Sequence, residues 1–204
     1  MFGGSFNPVH NGHIMLAQAF TEKLDLDKIL IVPSYISPHK AGDSTVTPLQ
    51  RLEMCRAAFS DIRKAEVSDI EIKRKGQSYT YLTLEELSVI YSGAELFLIT
   101  GADMFMTIDK WKNPELIFRK AVICGVPRNE DNIEALEKQA EQLRSLGART
   151  EILDAGIVTV SSTMIREMVR TGKDISRLVP EAVAAYIKKN RLYTDILPDT
   201  STGA

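Results

Sequence analysis

Apolar positions along this chain fall into two alternating kinds of run. From Gly12 to Asp25, the residues Leu16, Ala17, Phe20 and Leu24 recur at helical spacing, which predicts an amphipathic helix. Lys28 to Pro33 is instead a short, continuous, β-branched run ending at proline, as a strand buried on both faces of a parallel sheet would read. Residues 34–47 show no period, and a loop of that length inside a compact domain is either functional or disordered. Pro48 opens a second helix carried by Leu49, Leu52, Cys55 and Phe59. Glu66 to Lys73 alternates in part through Val67, Ile70 and Ile72 and reads as a strand. A turn at Lys75-Gly76-Gln77 leads through Ser78-Tyr79-Thr80 into a helix over Thr83 to Ile90.

The clearest buried strand is Glu95 to Thr100, which runs directly into Gly101-Ala102-Asp103. A helical piece through Phe105 and Ile108 follows, then Trp111, a short helix opened by Asn113-Pro114, and a second buried strand from Ala121 to Val126. Glu130 to Leu146 is a charged amphipathic helix stopped by Gly147. Glu151 to Leu153 and Ile157 to Val160 read as extended. Ser161-Ser162-Thr163 reads as a helix cap before Met164 to Arg170, and Pro180 opens a last helix through Val183, Tyr186 and Ile187. Strands alternating with helices predict an α/β fold with a doubly wound parallel sheet. We expect one domain over residues 1–193, its C-terminal helical part at about 161–193, and a polar, frayed tail over 194–204.

Charge narrows the partners. Lys plus Arg total 25 against 27 Asp plus Glu, a net charge of -2, so no broad footprint for nucleic acid or a membrane surface is expected. Cys55 and Cys124 are the only cysteines and sit in apolar surroundings, which excludes a disulfide framework and predicts two small core residues. No apolar run approaches the ~18 residues of a membrane span, and the first residues do not form a signal peptide. The expected compartment is the cytoplasm. Self-association into a homo-oligomer is left open.

Candidate chemistry gathers at Gly3-Gly4-Ser5-Phe6-Asn7-Pro8-Val9-His10-Asn11-Gly12-His13. Adjacent glycines let backbone approach a ligand, and Asn7-Pro8 is turn chemistry. His10 and His13, two of the three histidines, stand three residues apart at a predicted helix start, so both imidazoles fall on one helix face beside free N–H groups. This reads as a phosphate-binding corner. The glycines do not fit the nicotinamide-cofactor pattern, and no set of metal ligands accompanies the histidines. Gly101-Ala102-Asp103 follows a buried strand, where a carboxylate can hold ribose hydroxyls or simply cap a helix. Trp111, the only tryptophan, either packs in the core or stacks on a planar heterocycle. Ser161-Ser162-Thr163-Met164-Ile165-Arg166 joins hydroxyls and helix-start amides to an arginine one turn in, a second oxyanion clamp. Lys40, in Pro38-His39-Lys40, would by itself read as a solvated lysine.

These motifs resemble a nucleotidyltransferase superfamily marked by a His-x-Gly-His motif, here His10-Asn11-Gly12-His13, and a later Ser/Thr-rich motif ending in arginine, here Ser161 to Arg166. Within it the chain resembles the bacterial nicotinate-nucleotide adenylyltransferase family. The likeness runs through Gly3 to His10, Ile31-Val32-Pro33, Pro38-His39-Lys40, Ser78-Tyr79-Thr80, Gly101-Ala102-Asp103, Trp111, Leu178-Val179-Pro180 and Tyr186-Ile187. It implies a Rossmann-like nucleotidyltransferase fold and a reaction of ATP with nicotinate mononucleotide in NAD biosynthesis, giving deamido-NAD and pyrophosphate. It further implies Mg²⁺ held through the ATP phosphates rather than by protein ligands, and no covalent enzyme intermediate.

Carried over by position, the resemblance makes His10, His13, Lys40 and Arg166 catalytic. Gly4, Ser5 and Phe6 would line the cleft with backbone groups, Ser5 and Phe6 toward both substrates. Gly101 and Asp103 would hold adenosine, and Ser161, Thr163 and Arg166 the outer phosphates of ATP. Lys40 would meet the mononucleotide phosphate or the α-phosphate, and Thr80 and Trp111 would frame the nicotinate. Two positions depart from the pattern. Only Met1-Phe2 precede the glycine pair, so a shortened first strand and a less rigid corner are expected. Val126 stands where an arginine is frequent, with Arg128 beyond Pro127 as its substitute. A sister family that adenylylates phosphopantetheine shares the histidine motif but lacks the Trp111 and Pro38-His39-Lys40 constellation. A nucleotide-binding module without turnover is the rival of another class.

Overall fold

The computed structural model describes residues 1–38, 46–127, 133–153 and 159–194. Among these, six strands form one sheet: β1 (Phe2–Gly4), β2 (Ile29–Pro33), β3 (Ala65–Val67), β4 (Leu96–Gly101), β5 (Ala121–Val126) and β6 (Arg149–Ile152). Their order is β3-β2-β1-β4-β5-β6, with every pairing parallel. Between them run α1 (Asn11–Lys23), α2 (Pro48–Phe59), α3 (Ile70–Arg74), α4 (Thr80–Ile90), α5 (Ala102–Phe105), a 3-10 turn at Ile108–Lys110, α6 (Pro114–Lys120) and α7 (Ile133–Ser145). Helices α8 (Ser162–Arg170) and α9 (Glu181–Lys189) follow the last strand. The expected doubly wound α/β sheet is therefore present, and its strand order reverses between β1 and β4, where such folds bind ligands beyond the carboxyl ends of the strands. No helix of the described residues is long and apolar enough to cross a membrane.

Alternation along the buried strands builds two cores. Ile29, Ile31, Ile99, Val122 and Cys124 point to the face covered by Phe20 of α1, Met54 and Cys55 of α2, Ile165 of α8 and Ile187 of α9. Leu98, Ala121 and Ile123 point to the other face and meet Leu84, Phe105, Ile117 and Leu136. With both faces covered, β2 and β5 are buried at every residue, which is why they read as unbroken apolar runs. The two cysteines are free and buried, and burial pushes the Cys124 thiol up to about 12, far from a thiolate nucleophile at neutral pH.

The first strand is short but well held. All of β1 pairs with β2, Phe2 opposite Ile31, Gly3 opposite Val32 and Gly4 opposite Pro33, and Phe2 also stands opposite Ile99 of β4. The Met1 nitrogen donates to the Phe97 carbonyl at 2.7 Å, and Ile99 N–H donates to the Met1 carbonyl at 2.9 Å. The glycine corner thus leaves from the centre of the sheet, paired on both sides, rather than from a loose end.

Two expected extended stretches differ. The strand read over Glu66 to Lys73 stops at Val67, and Ile70 and Ile72 belong to α3. β3 pairs only with β2, whose last residue Pro33 has no N–H to continue a ladder, and the final rung is Ser68 N–H to the Ile31 carbonyl at 2.9 Å. Past that rung the chain turns into α3, which buries Ile72 and carries Glu71 to a buried position. Of the stretch read over 157–160, Ile157 and Val158 lie outside the described residues, and Thr159 and Val160 join no strand. Lys40, Arg128 and the tail beyond Thr194 also lie outside the described residues.

Candidate active site

The corner is built by Gly4, Phe6 and the start of α1. Phe6 adopts a left-handed backbone, φ 47°, which folds its ring back over Gly4, where an added Cβ would meet that ring at 3.1 Å. The ring is 2% exposed and sits edge-on to Phe2 and His13, at centroid distances of 5.6 and 4.9 Å. The Phe6 side chain is therefore turned inward, where its ring packs against the His13 imidazole. His10 occupies the N-cap position of α1 with an extended backbone, and its ring stacks on His13 at 3.7 Å. His10 N–H donates to His13 Nδ1 at 3.2 Å. In neutral His13 the proton is consequently on Nε2, which leaves a directed N–H donor.

His10 is 5% exposed, and among the described residues its Nδ1 has no hydrogen-bond partner. Burial lowers its pKa from 6.5 to about 4, so the ring is neutral at pH 7 and presents a dipole rather than a charge. Stability follows from the sign. Between pH 6.5 and 4 the unfolded chain binds the His10 proton and the folded chain does not, so stability falls as pH drops through that window, by about 3 kcal/mol in total. His10→Gln is expected to flatten this part of the pH profile when urea midpoints are compared at pH 7 and 4.5. Equal acid sensitivity in both proteins would show that His10 titrates as it does in the unfolded chain.

Three remote segments hold the corner. From α8, Ser162 Oγ donates to the Pro8 carbonyl at 2.8 Å and Arg166 Nη1 to the Asn7 carbonyl at 2.8 Å. Arg166 Nη2 also donates to Thr163 Oγ1 at 3.2 Å, and Ser161 Oγ caps the helix by accepting from Met164 N–H at 3.2 Å. From the C-terminal part, Tyr193 donates to Asn7 Oδ1 at 2.6 Å, and Asn11 N–H donates to the Leu178 carbonyl at 2.9 Å. From α2, Arg51 donates to the Ser5 carbonyl at 2.7 Å.

Beside the corner, an open cleft follows the carboxyl ends of β1, β2 and β4. Its walls include Gly4 and Ser5, Ser34 and Ser37, Thr100 and Gly101, and on the far side Thr80 and Trp111. Five of the expected site residues, Gly4, Ser5, Thr80, Gly101 and Trp111, thus share one cleft. His10, His13, Thr163 and Arg166 lie at the adjoining corner instead, joined to the cleft through the Gly4-Ser5 turn. Asp103 is exposed at the start of α5 and is not part of the cleft wall, although its neighbours Gly101 and Met104 are.

Sequence reasoning missed Glu71 and Arg51. Glu71 is 4% exposed and forms part of the cleft wall. Its carboxyl accepts from Thr83 Oγ1 at 2.6 Å, and Arg74 joins Thr83 and Glu86 at 2.8 and 2.7 Å. Burial raises the Glu71 pKa above its usual value, against hydrogen bonds from Thr83 and Ser78 that lower it. Glu71 sits in the stretch misread as a strand. Arg51 had an available signal, because it shares the buried face of α2 with Cys55 and Ala58 at helical spacing, an unusual place for a charge.

Comparison with known proteins agrees with this geometry. A cytidylyltransferase-like family model matches residues 1–168. A probable nicotinate-nucleotide adenylyltransferase of Clostridium tetani is 38% identical over 194 residues, covering 95% of this chain and 97% of that protein. One from Clostridium acetobutylicum is 39% identical over 194 residues, with 95% and 97% covered. Among solved structures, a Plasmodium falciparum nicotinic acid mononucleotide adenylyltransferase complexed with NaAD has the same fold, with a TM-score of 0.76 at 18% identity, covering 94% of this chain and 95% of that one.

Proposed function

The chain belongs to the nicotinate-nucleotide adenylyltransferase family, within the cytidylyltransferase-like proteins, and we propose that it transfers the adenylyl group of ATP to nicotinate mononucleotide. The 5′-phosphate oxygen of the mononucleotide attacks the α-phosphorus of ATP in line. The new O–P bond forms as the bond from the α-phosphorus to the bridging oxygen breaks, and pyrophosphate leaves with deamido-NAD as the other product. The chemistry asks the protein to position two anions and to stabilise charge growing on the phosphates, not to supply a nucleophile.

One observation carries the reading. The Gly4-Ser5 turn joins a stacked imidazole pair, with Arg166 tied to the same corner, to a cleft walled by Trp111 and Thr80. In our assignment His10 and His13 contact the ATP phosphates, and His13 donates to the charge that builds in the transition state. Ser161, Thr163 and Arg166 hold the outer phosphates, and backbone of Gly4, Ser5 and Phe6 lines the shared floor. Gly101 and Asp103 take the adenosine side. Thr80 and Trp111 frame the nicotinate, Trp111 by stacking on the electron-poor ring. Lys40 meets the mononucleotide phosphate or the α-phosphate.

Among the described residues no group of three or more His, Cys, Asp or Glu side chains is placed to hold a metal ion. In our reading the divalent cation enters as MgATP, neutralising the phosphates it rides on. The test is pyrophosphate release from MgATP with separate acceptors. Release with nicotinate mononucleotide is expected. No release with that acceptor would overturn the reading, release with phosphopantetheine alone would assign the chain to the sister reaction, and nucleotide binding without turnover would make it a binding module.

A further inference from the structure

Arg51 touches no proposed substrate position, yet it reaches both loops that leave the sheet beside β1. It lies on α2 and is 5% exposed. Its Nη1 donates to the Ser5 carbonyl at 2.7 Å, while Nη2 donates to the Ser34 and Tyr35 carbonyls at 2.5 and 3.0 Å. Ser5 follows β1, and Ser34 and Tyr35 follow β2. One guanidinium fork therefore spans two strand ends whose loops form facing parts of the cleft.

We propose that Arg51 is a positioning residue for adenylyl transfer, its fork setting the spacing and peptide orientation of the Ser5 and Ser34-Tyr35 loops. The peptide plane supplies the mechanism. In a trans peptide the C=O and the following N–H point in opposite directions. The Ser34-Tyr35 peptide shows the consequence: its carbonyl accepts from Arg51, and its N–H donates to Ser78 Oγ in the cleft wall at 2.8 Å. The Ser5-Phe6 peptide is held by the same fork, so the Phe6 N–H is turned away from Arg51. That amide adjoins the corner where the phosphates are placed, and a backbone donor held in advance needs no reorganisation when charge develops. A Ser34 N–H to Gly4 carbonyl bond at 2.9 Å ties the same loops once more, so Arg51 trims their relative placement rather than creating it.

The charge fits this role. Among the described residues Arg51 makes no ion pair and is satisfied by backbone carbonyls alone. A guanidinium keeps its proton even when buried. Glu71 acts on it as a Coulombic neighbour without forming an ion pair. A buried cation held by carbonyls rather than by an ion pair is expensive for stability alone, but its field favours anions gathering on the floor above it. Lysine would keep the charge but not the planar fork that reaches both loops.

The inference rests on the adenylyl-transfer reading, which turnover by the unsubstituted enzyme tests separately. Arg51→Lys is compared with the unsubstituted enzyme at a temperature where circular dichroism shows both folded. Displaced reacting groups lower kcat, so a loss of about 10-fold is expected, with KM for both substrates changed much less. A folded Arg51→Lys with unchanged kcat, altered only in its melting temperature, would overturn the proposal and leave Arg51 a structural clamp. A second measurement needs no variant. The buried Arg51 guanidinium gives slowly exchanging ¹⁵N resonances, and these are expected to shift when MgATP is added to the unsubstituted protein. Resonances unmoved at saturating MgATP would overturn the proposal even if every Arg51 variant failed to fold.

Discussion

His13→Ala is expected to lower kcat by ~10²-fold or more, the cost of losing one preorganised donor to an oxyanion. The size of the effect follows from how completely the ring is fixed before substrate arrives. His13 stacks on His10 at 3.7 Å, takes the Phe6 ring edge at 4.9 Å, and accepts His10 N–H on Nδ1 at 3.2 Å. Those contacts leave little rotational freedom and place the proton of the neutral ring on Nε2. Alanine at this position is a strong helix former inside α1, so the helix should survive. The orphaned His10 N–H costs about 1 kcal/mol of stability, which is small beside the catalytic loss. Steady-state rates at saturating MgATP and nicotinate mononucleotide check the expectation. A kcat close to that of the unsubstituted enzyme, with the fold intact by circular dichroism, would remove His13 from the chemistry.

The sequence announces those imidazoles because their spacing is local. Two histidines at a helix start beside a glycine pair need no tertiary information to be grouped. The same holds for β2, β4 and β5, where burial on both faces writes a continuous apolar run into the chain. It holds too for α2 and α8, whose starts are marked by Pro48 and Ser161. β1 could not be read this way, since its three residues gain their order from the hydrogen bonds of β2 and β4 rather than from any preference of their own. Glu71 was hidden by an alternation that a helix happened to break. The contact from Tyr193 to Asn7 joins residues 186 positions apart and leaves no local trace in either. Trp111 was open between packing and stacking, and its position serves both: it packs against the core that holds Leu84 and Phe105 and also lies in the cleft wall with Thr80.

Arg166→Ala is expected to lower kcat/KM for ATP by ~10²-fold, because the side chain does two things that alanine cannot. One is structural: Nη1 satisfies the Asn7 carbonyl at 2.8 Å and pins the turn that carries His10 and His13. The other is electrostatic: with Nη2 steadied by Thr163 Oγ1 at 3.2 Å, the remaining N–H groups of the fork stay available to a polyphosphate. A hydrogen bond to a charged group contributes ~1.5–3 kcal/mol, which alone spans roughly 10- to 150-fold, and the released turn adds to it. The two contributions separate in Arg166→Lys. An ammonium keeps the charge but cannot hold the carbonyl and a phosphate as a planar fork does, so kcat/KM for ATP should recover only part of the loss. KM for nicotinate mononucleotide should move much less in both variants, since the cleft wall at Trp111 and Thr80 is built by other elements. Equal losses toward the two substrates would instead point to collapse of the shared Gly4-Ser5 turn, and the phosphate role of Arg166 would then fall.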